Sequence, residues 1–370
     1  MRAFKCTCGQ PLFFDNLECL GCGAQVAYDP IGRTLVTLEA ATDGLWTVSN
    51  DEEEPRSHFR LCAHRTAQAA CNWLVPATVP EAICLSCRLT RTVPLLDSPK
   101  NADRLRELEA AKRRVLFALQ HMDLPLIPKS QDADRGLAFD FLEALPEGPP
   151  VVTGHAEGVI TLNVAEADDD YREKNRESLG EPYRTVVGHI RHELGHYYWD
   201  ALVRDTSWLP RFRQVFGDER ADYGEALKKH YAEGPPAGWR DQFISAYAAS
   251  HPWEDWAESW AHCMHMHDTL ETVTSYRLET AETPLSLTPF SADALYEKET
   301  DTAFLDCINS WVILTATLNE VARSMGQPDI YPFVLNIPAV RKMHFVHCVI
   351  HSGRQGSTPD VPATLAAPAA

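Results

Sequence analysis

Tyr183 to Val203, YRTVVGHIRHELGHYYWDALV, is the stretch from which the rest of the chain is read. Val186, Val187, Ile190, Leu194, Tyr197 and Tyr198 recur at helical spacing, and Pro182 suits a first turn. On such a helix His192 and His196 project from one face, about one turn apart, with Glu193 beside them at the rim. Two imidazoles at i and i+4 around a glutamate form HExxH, the spacing at which one helix grips a metal ion and presents a base. A string this short recurs by chance in a chain with 15 histidines, so its surroundings decide. Polar groups on the inward face of a buried helix must be satisfied, and a metal satisfies them. His189, one turn before His192, reads as an ordinary packed histidine.

A catalytic zinc takes three side chains and leaves the fourth position to water, so a third ligand is required. His251-Pro252-Trp253-Glu254-Asp255-Trp256-Ala257-Glu258 opens a second helix, which WAESWAHCMHMHDTL continues. Glu254 and Glu258 lie one turn apart on one face. One of them can bind the metal while the other accepts a hydrogen bond from a ligating histidine, with His192 the best placed, and the residues alone allow either order. Carboxylates in a first turn also suit the helix macrodipole, so a capping role for Glu254 or Asp255 competes.

HELGH followed by EDWAE resembles the zincin metallopeptidases of the glutamate-ligand type. RHELGHYYWDALV and HPWEDWAESWAHCMHMHDTL together are similar to a bacterial family of zinc-binding metallopeptidases, and the likeness runs from the first cysteines to about His351. In zincins with the ExxAE pattern, the first glutamate ligates zinc and a tyrosine seven residues earlier faces the metal. The resemblance therefore implies His192, His196 and Glu254 as ligands, Glu193 as base and Tyr247 as the donor to a tetrahedral oxyanion, and with Glu254 on the metal Glu258 is left as the outer support. From the residues alone, Tyr247 in FISAYAAS reads equally as a packed aromatic.

A peptidase of this type needs a strand along which an extended peptide can lie. Gly158-Val159-Ile160-Thr161-Leu162-Asn163-Val164 is a β-branched run suited either to an exposed edge or to a buried interior strand. The acidic segment Glu166 to Asp170 reads as a solvated turn. His262, His265 and His267 invite a second metal. However, His265 is eleven residues past Glu254, about 16 Å further along the helix axis, and cannot share its ion. The triplet reads as surface and core polar residues.

Eight of the 11 cysteines precede Arg91. Cys6, Cys8, Cys19 and Cys22 read C-x-C and C-x-x-C, suited to a tetrahedral thiolate zinc site in a small ribbon. Cys62, Cys71, Cys84 and Cys87 form a less regular second set, in which His64 can replace Cys62 or Cys71. Disulfides are the competing reading. MRAFKCTCGQ has no apolar core of a signal peptide, so a reducing, cytoplasmic setting is expected. Cys263, Cys307 and Cys348 read as buried thiols. Ribbons often bind nucleic acid, but the formal charge of −18 supplies no cationic excess to neutralise phosphate.

With 370 residues and 45% apolar content, the chain can form two or three packed domains. The expected class is α+β: a cysteine-rich zinc-ribbon region at 1–95, a mainly helical zincin domain with a small edge-exposed sheet at 96–351, and a disordered Pro/Ala/Thr tail at 352–370. Asn101 to Met122 and Asp306 to Met325 read as long helices, and no stretch reaches transmembrane length. The expected function is a zinc-dependent hydrolase of peptide bonds, with one catalytic and one or two structural zinc ions and a peptide or protein substrate. A competing class is a zinc-held protein- or nucleic-acid-binding adaptor, in which a fourth side chain such as His189 or His262 closes the HELGH site.

Overall fold

The computed structural model describes residues 1–48, 57–66, 69–145, 147–278, 287–297 and 301–352. They group into two compact units that part between Tyr171 and Arg172.

In the first unit β1 (Phe4–Lys5) pairs antiparallel with β2 (Pro11–Leu12). A five-stranded antiparallel sheet follows in chain order: β3 (Val26–Asp29), β4 (Thr34–Ala40), β5 (Trp46–Val48), β6 (Phe59–Leu61) and β7 (Leu74–Pro76). Ala27, Leu38, Phe59 and Leu74 are the buried side of this meander. The short helix α1 (Leu85–Leu89) runs into β8 (Thr90–Thr92), and α2 (Pro99–His121) forms the long helix expected from its composition. Phe117 of α2 meets the rings of Phe4, Phe14 and Tyr28 edge-on, at 6.0, 5.2 and 5.7 Å between centroids. A segment too small to build its own core thus packs on a helix face, and the compact unit extends well past residue 95.

The unit's second sheet has the order β10 (Gly154–Ala156), β11 (Val159–Asn163), β9 (Ala138–Leu142), β8. β10 and β11 are joined by Glu157 and Gly158, both at positive φ, the two-residue turn whose twist matches a hairpin. A Cβ on Gly158 would lie 2.3 Å from the Gly136 carbonyl oxygen, so only glycine fits. β11 pairs with β10 on one side and, in parallel, with β9 on the other. The run at 158–164 is therefore interior: Ile160 and Leu162 are fully buried, and both flanks of its backbone are paired. The edges are β10 and β8. The acidic segment after it is not a solvated turn either. Glu166 is buried, Asp168 pairs with Arg104 at 2.5 Å and Lys100 at 3.0 Å, and Asp169 and Asp170 open α3 (Asp169–Leu179), where the macrodipole favours them.

The second unit is helical: α4 (Val186–Leu202), α5 (Leu209–Val215), α6 (Tyr223–Glu233), α7 (Pro252–Ser275), α8 (Thr302–Ser324) and α9 (Ile337–Ser352). α4 starts at Val186 rather than near Pro182 because the Thr185 hydroxyl caps it, accepting from the Gly188 N–H at 3.0 Å. α4 and α7 cross at Gly195. A Cβ there would lie 2.9 Å from the Ala257 Cα and 3.2 Å from the Trp260 Cβ, so the crossing depends on a residue without a side chain. Trp256 Nε1 donates to the Gly195 carbonyl at 2.8 Å, and Trp260 stacks on Tyr198 at 4.9 Å. α9 packs against α7 through a buried pair, Lys342 Nζ 2.6 Å from Asp255 Oδ2, with the ammonium 4.1 Å from the Phe243 ring centre. Burial pushes the Asp255 carboxyl up to about 7, against the pull of Lys342.

Among the described residues no helix is long and apolar enough to cross a membrane. Ser352 closes α9, and both the tail at 353–370 and the acidic run Asp51 to Glu54 lie outside the described residues.

Candidate metal centres

α4 and α7 bring together the residues that the HELGH and EDWAE strings place on separate helices. The i, i+4 spacing sets the His192 and His196 rings 4.9 Å apart. α7 begins with His251 as its cap and Pro252 in its first turn, which puts Glu254 at the positive end of the helix. Glu254 Oε2 lies 3.0 Å from His192 Nε2 and 3.5 Å from His196 Nε2. Donors bound to zinc at about 2.0–2.1 Å in a tetrahedron stand about 3.4 Å from one another. The two Glu254 distances lie on either side of that value, and all three donor atoms lie within 4.8 Å of one another. No fourth histidine, cysteine, aspartate or glutamate among the described residues joins the group with a donor atom within 4.8 Å of the others.

The surroundings orient this set. His192 Nδ1 donates to Glu258 Oε1 at 2.8 Å, which fixes the ring with Nε2 towards Glu254. Glu258 Oε2 accepts from the Ser245 hydroxyl at 2.6 Å, and Ser245 in turn accepts from the Ala248 N–H at 3.0 Å. Glu254 Oε1 accepts from the Tyr223 hydroxyl at 2.6 Å. His196 packs against Trp253 at 4.1 Å between ring centres. Burial opposes a charge on His192, but the hydrogen bonds to Glu254 and Glu258 outweigh it and raise its pKa well above the ordinary imidazole value. The pocket thus stabilises positive charge, and a divalent cation answers the same demand.

Glu193 is buried, and burial raises its carboxyl pKa against the pull of His192 and His196. Tyr247 packs near His192, 5.8 Å between ring centres. Burial, then the charge of Glu254, keeps its phenol protonated far above the usual range, so it remains a hydrogen-bond donor. His262 and His265 are held elsewhere. The Tyr331 hydroxyl donates to His262 Nδ1 at 2.6 Å and Arg191 donates to His265 Nδ1 at 2.6 Å. Neither closes the HELGH group. Tyr223 and Ser245 carry no motif; only the fold brings them to the carboxylates of Glu254 and Glu258.

The cysteines form two further groups, Cys6, Cys8, Cys19, Cys22 and Cys62, Cys71, Cys84, Cys87. All eight are free thiols. Cys6 and Cys22 sulfurs stand 3.6 Å apart, Cys8 and Cys19 3.7 Å, Cys62 and Cys87 3.7 Å, Cys71 and Cys84 3.5 Å. These distances exceed the disulfide length of about 2 Å and approach the edge of about 3.8 Å of a tetrahedron with Zn–S bonds of about 2.3 Å. Hydrogen bonds from Cys71, Cys84 and Cys87 push the Cys62 thiol far down, towards the thiolate a metal needs. His64 is exposed and outside the second group, which its four cysteines fill. In the first group Cys8 and Cys22 are exposed, whereas the second is buried throughout. Cys263 is buried, and Cys307 and Cys348 are partly so.

Residues 101–349 match the family model described as "putative zinc-binding metallo-peptidase". The chain belongs to that family. Residues 3–98 match a zinc-ribbon domain, so the family's metal and the two thiol groups agree on zinc. Uncharacterized proteins of Mycobacterium tuberculosis and Mycobacterium bovis are each 42% identical over 352 residues, 95% of this chain and 95% of the relative. No solved structure matches the chain.

Proposed function

We propose that this family member is a zinc-dependent peptidase that cleaves peptide bonds at a site held by His192, His196 and Glu254. The observation that carries the reading is the three-donor group itself, which leaves a fourth position to water, with the buried Glu193 carboxylate next in sequence to a ligand. A closed structural site would require a fourth side chain, and His262 is engaged with Tyr331 instead. His192, His196 and Glu254 would hold the zinc, which when bound would supply Lewis-acid polarisation of a scissile carbonyl and a lowered pKa, about 7, for water. Glu193 takes the proton of the attacking water and returns it to the amine nitrogen as the C–N bond breaks and the C–O bond forms. Tyr247, a protonated phenol, donates to the oxygen on which negative charge develops. Glu258 holds the His192 ring in its tautomer, and Ser245 holds Glu258.

The two cysteine groups fit structural zinc ions that fold the region 1–95, and residues 96–351 are the working peptidase module. Thiols kept for metal suit a reducing, cytoplasmic setting. The test is Glu193→Gln in the full chain, assayed on a mixture of cytosolic peptides with zinc measured alongside. We expect zinc retained and hydrolysis reduced by about 10²–10⁴-fold. A variant that kept both its zinc and its rate would refute the mechanism.

A further inference from the structure

The proposed zinc ligand Glu254 has two oxygens in different surroundings. Oε2 faces the two imidazoles, at 3.0 and 3.5 Å, whereas Oε1 accepts the Tyr223 hydroxyl at 2.6 Å. A carboxylate can bind a cation through one oxygen or two. With one oxygen engaged by a phenol it is committed to the other, and the coordination position that a second oxygen would fill stays open for water.

Tyr223 has its own support. It is the first residue of α6, whose cap is Asp222, with Oδ1 accepting from the Glu225 N–H at 3.0 Å. α6 buries none of its residues, so packing alone does not hold this helix over the site. Besides the contact of His230 with Tyr247, 5.8 Å between ring centres, a tie comes from His251, the buried cap of α7. Its Nδ1 accepts from the Trp253 N–H at 3.1 Å, which leaves the proton on Nε2, and Nε2 lies 3.1 Å from the Ala221 carbonyl oxygen, two residues before Tyr223. The same side chain thus caps the helix that carries Glu254 and fastens the segment that carries Tyr223. Tyr223 meets the His251 and Trp253 rings edge-on at 5.2 and 5.7 Å, and Trp253 continues to His196 at 4.1 Å.

We propose that Tyr223 is a positioning residue that holds Glu254 as a one-oxygen ligand, and that His251 straps it in place. The proposal rests on the ligand assignment above. It is tested with the cysteine groups loaded with zinc and cobalt(II) then titrated into the remaining site of the full chain. The visible band of the bound cobalt reports coordination number, being weaker when a fifth donor joins. The wild type should show the stronger four-coordinate band. Tyr223→Phe should fold normally by circular dichroism, show the weaker five-coordinate band and bind cobalt about 10–100-fold less tightly. His251→Asn, which can still accept from the Trp253 N–H but is too short for the Ala221 carbonyl, should move the band in the same direction. An unchanged band and affinity in Tyr223→Phe overturns the proposal, and an unchanged band in His251→Asn removes the strap. If cobalt binding survives His196→Ala unaltered, the ligand assignment itself fails, a result separate from either of these.

Discussion

The buried thiol group Cys62, Cys71, Cys84, Cys87 and the group His192, His196, Glu254 solve one problem in opposite ways. In the first, four identical donors come from loops and short elements, and the Cys62 sulfur lies among the other cysteines and accepts one backbone N–H, from Cys84 at 3.4 Å. In the second, three donors sit on two long helices whose crossing is set by Gly195, and the remaining atoms of His192 and Glu254 are taken up by Glu258 and Tyr223. A site that must close needs only ligands, because the metal folds the chain around itself. A site that must keep a position open has to be built before the metal arrives, by packing and by hydrogen bonds to the ligands.

This contrast predicts unequal consequences when a ligand is removed. Structural zinc contributes about 10–16 kcal/mol to folding in small domains. Cys84→Ala should therefore lose zinc together with the cooperative melting of the first unit. His196→Ala should lose the metal of its own site and keep its far-UV circular dichroism. A Cys84→Ala protein that melted like the wild type would erase the distinction.

A second, smaller difference appears on acidification. Burial holds His262 down to about 4 and, with the neighbouring His351 and His267, His347 down to about 3. Both folded values lie below the ordinary 6.5. Their contribution to stability is therefore complete above pH 6.5 and declines as pH falls from there towards the folded values. For His262 the decline between pH 6.5 and 4 is about 3 kcal/mol. Melting temperatures from pH 7 to 4.5 should fall less steeply in His262→Asn than in the wild type. Equal slopes would mean that His262 takes up its proton without cost.

The smallest effect is expected at the helix crossing. Gly195→Ala forces α4 and α7 apart by a few tenths of an ångström, at a cost of about 1–3 kcal/mol, or roughly 2–4 °C in melting temperature per kcal/mol. Zinc binding at the histidine site should weaken in parallel, and the thiol groups should be unaffected. Thermal shift with and without chelator separates the two.

Much of this organisation can be read along the chain. Spacing alone puts His192 beside His196 and Glu254 on the face of Glu258, and cysteine intervals mark both thiol groups, because these relations are local and follow from helix pitch or short loops. What cannot be read depends on contacts between distant elements. Alternation in VITLN is the same for an edge strand as for an interior one, so the pairing of β11 with both β9 and β10 is invisible in it. Glu166 reads as solvated because its acidic neighbours dominate the local composition, although it is buried. Tyr223 lies 31 positions before Glu254 in an ordinary amphipathic helix, and no local pattern marks its hydroxyl. Gly195 reads as a helix-weakening residue until the helix it admits is known.

The pair between Asp255 and Lys342 gives the chain a built-in order of completion. Asp255 is next to Glu254, and its buried carboxylate is matched by an ammonium from α9, nearly ninety positions later. A nascent chain leaving the ribosome exposes His192, His196 and Glu254 long before residue 342 emerges, but the first turn of α7 cannot bury Asp255 at low cost until then. The histidine and glutamate group would thus stay unassembled during synthesis of the chain. A fragment ending after α8 would carry the whole histidine and glutamate set on a helix whose start is unsettled.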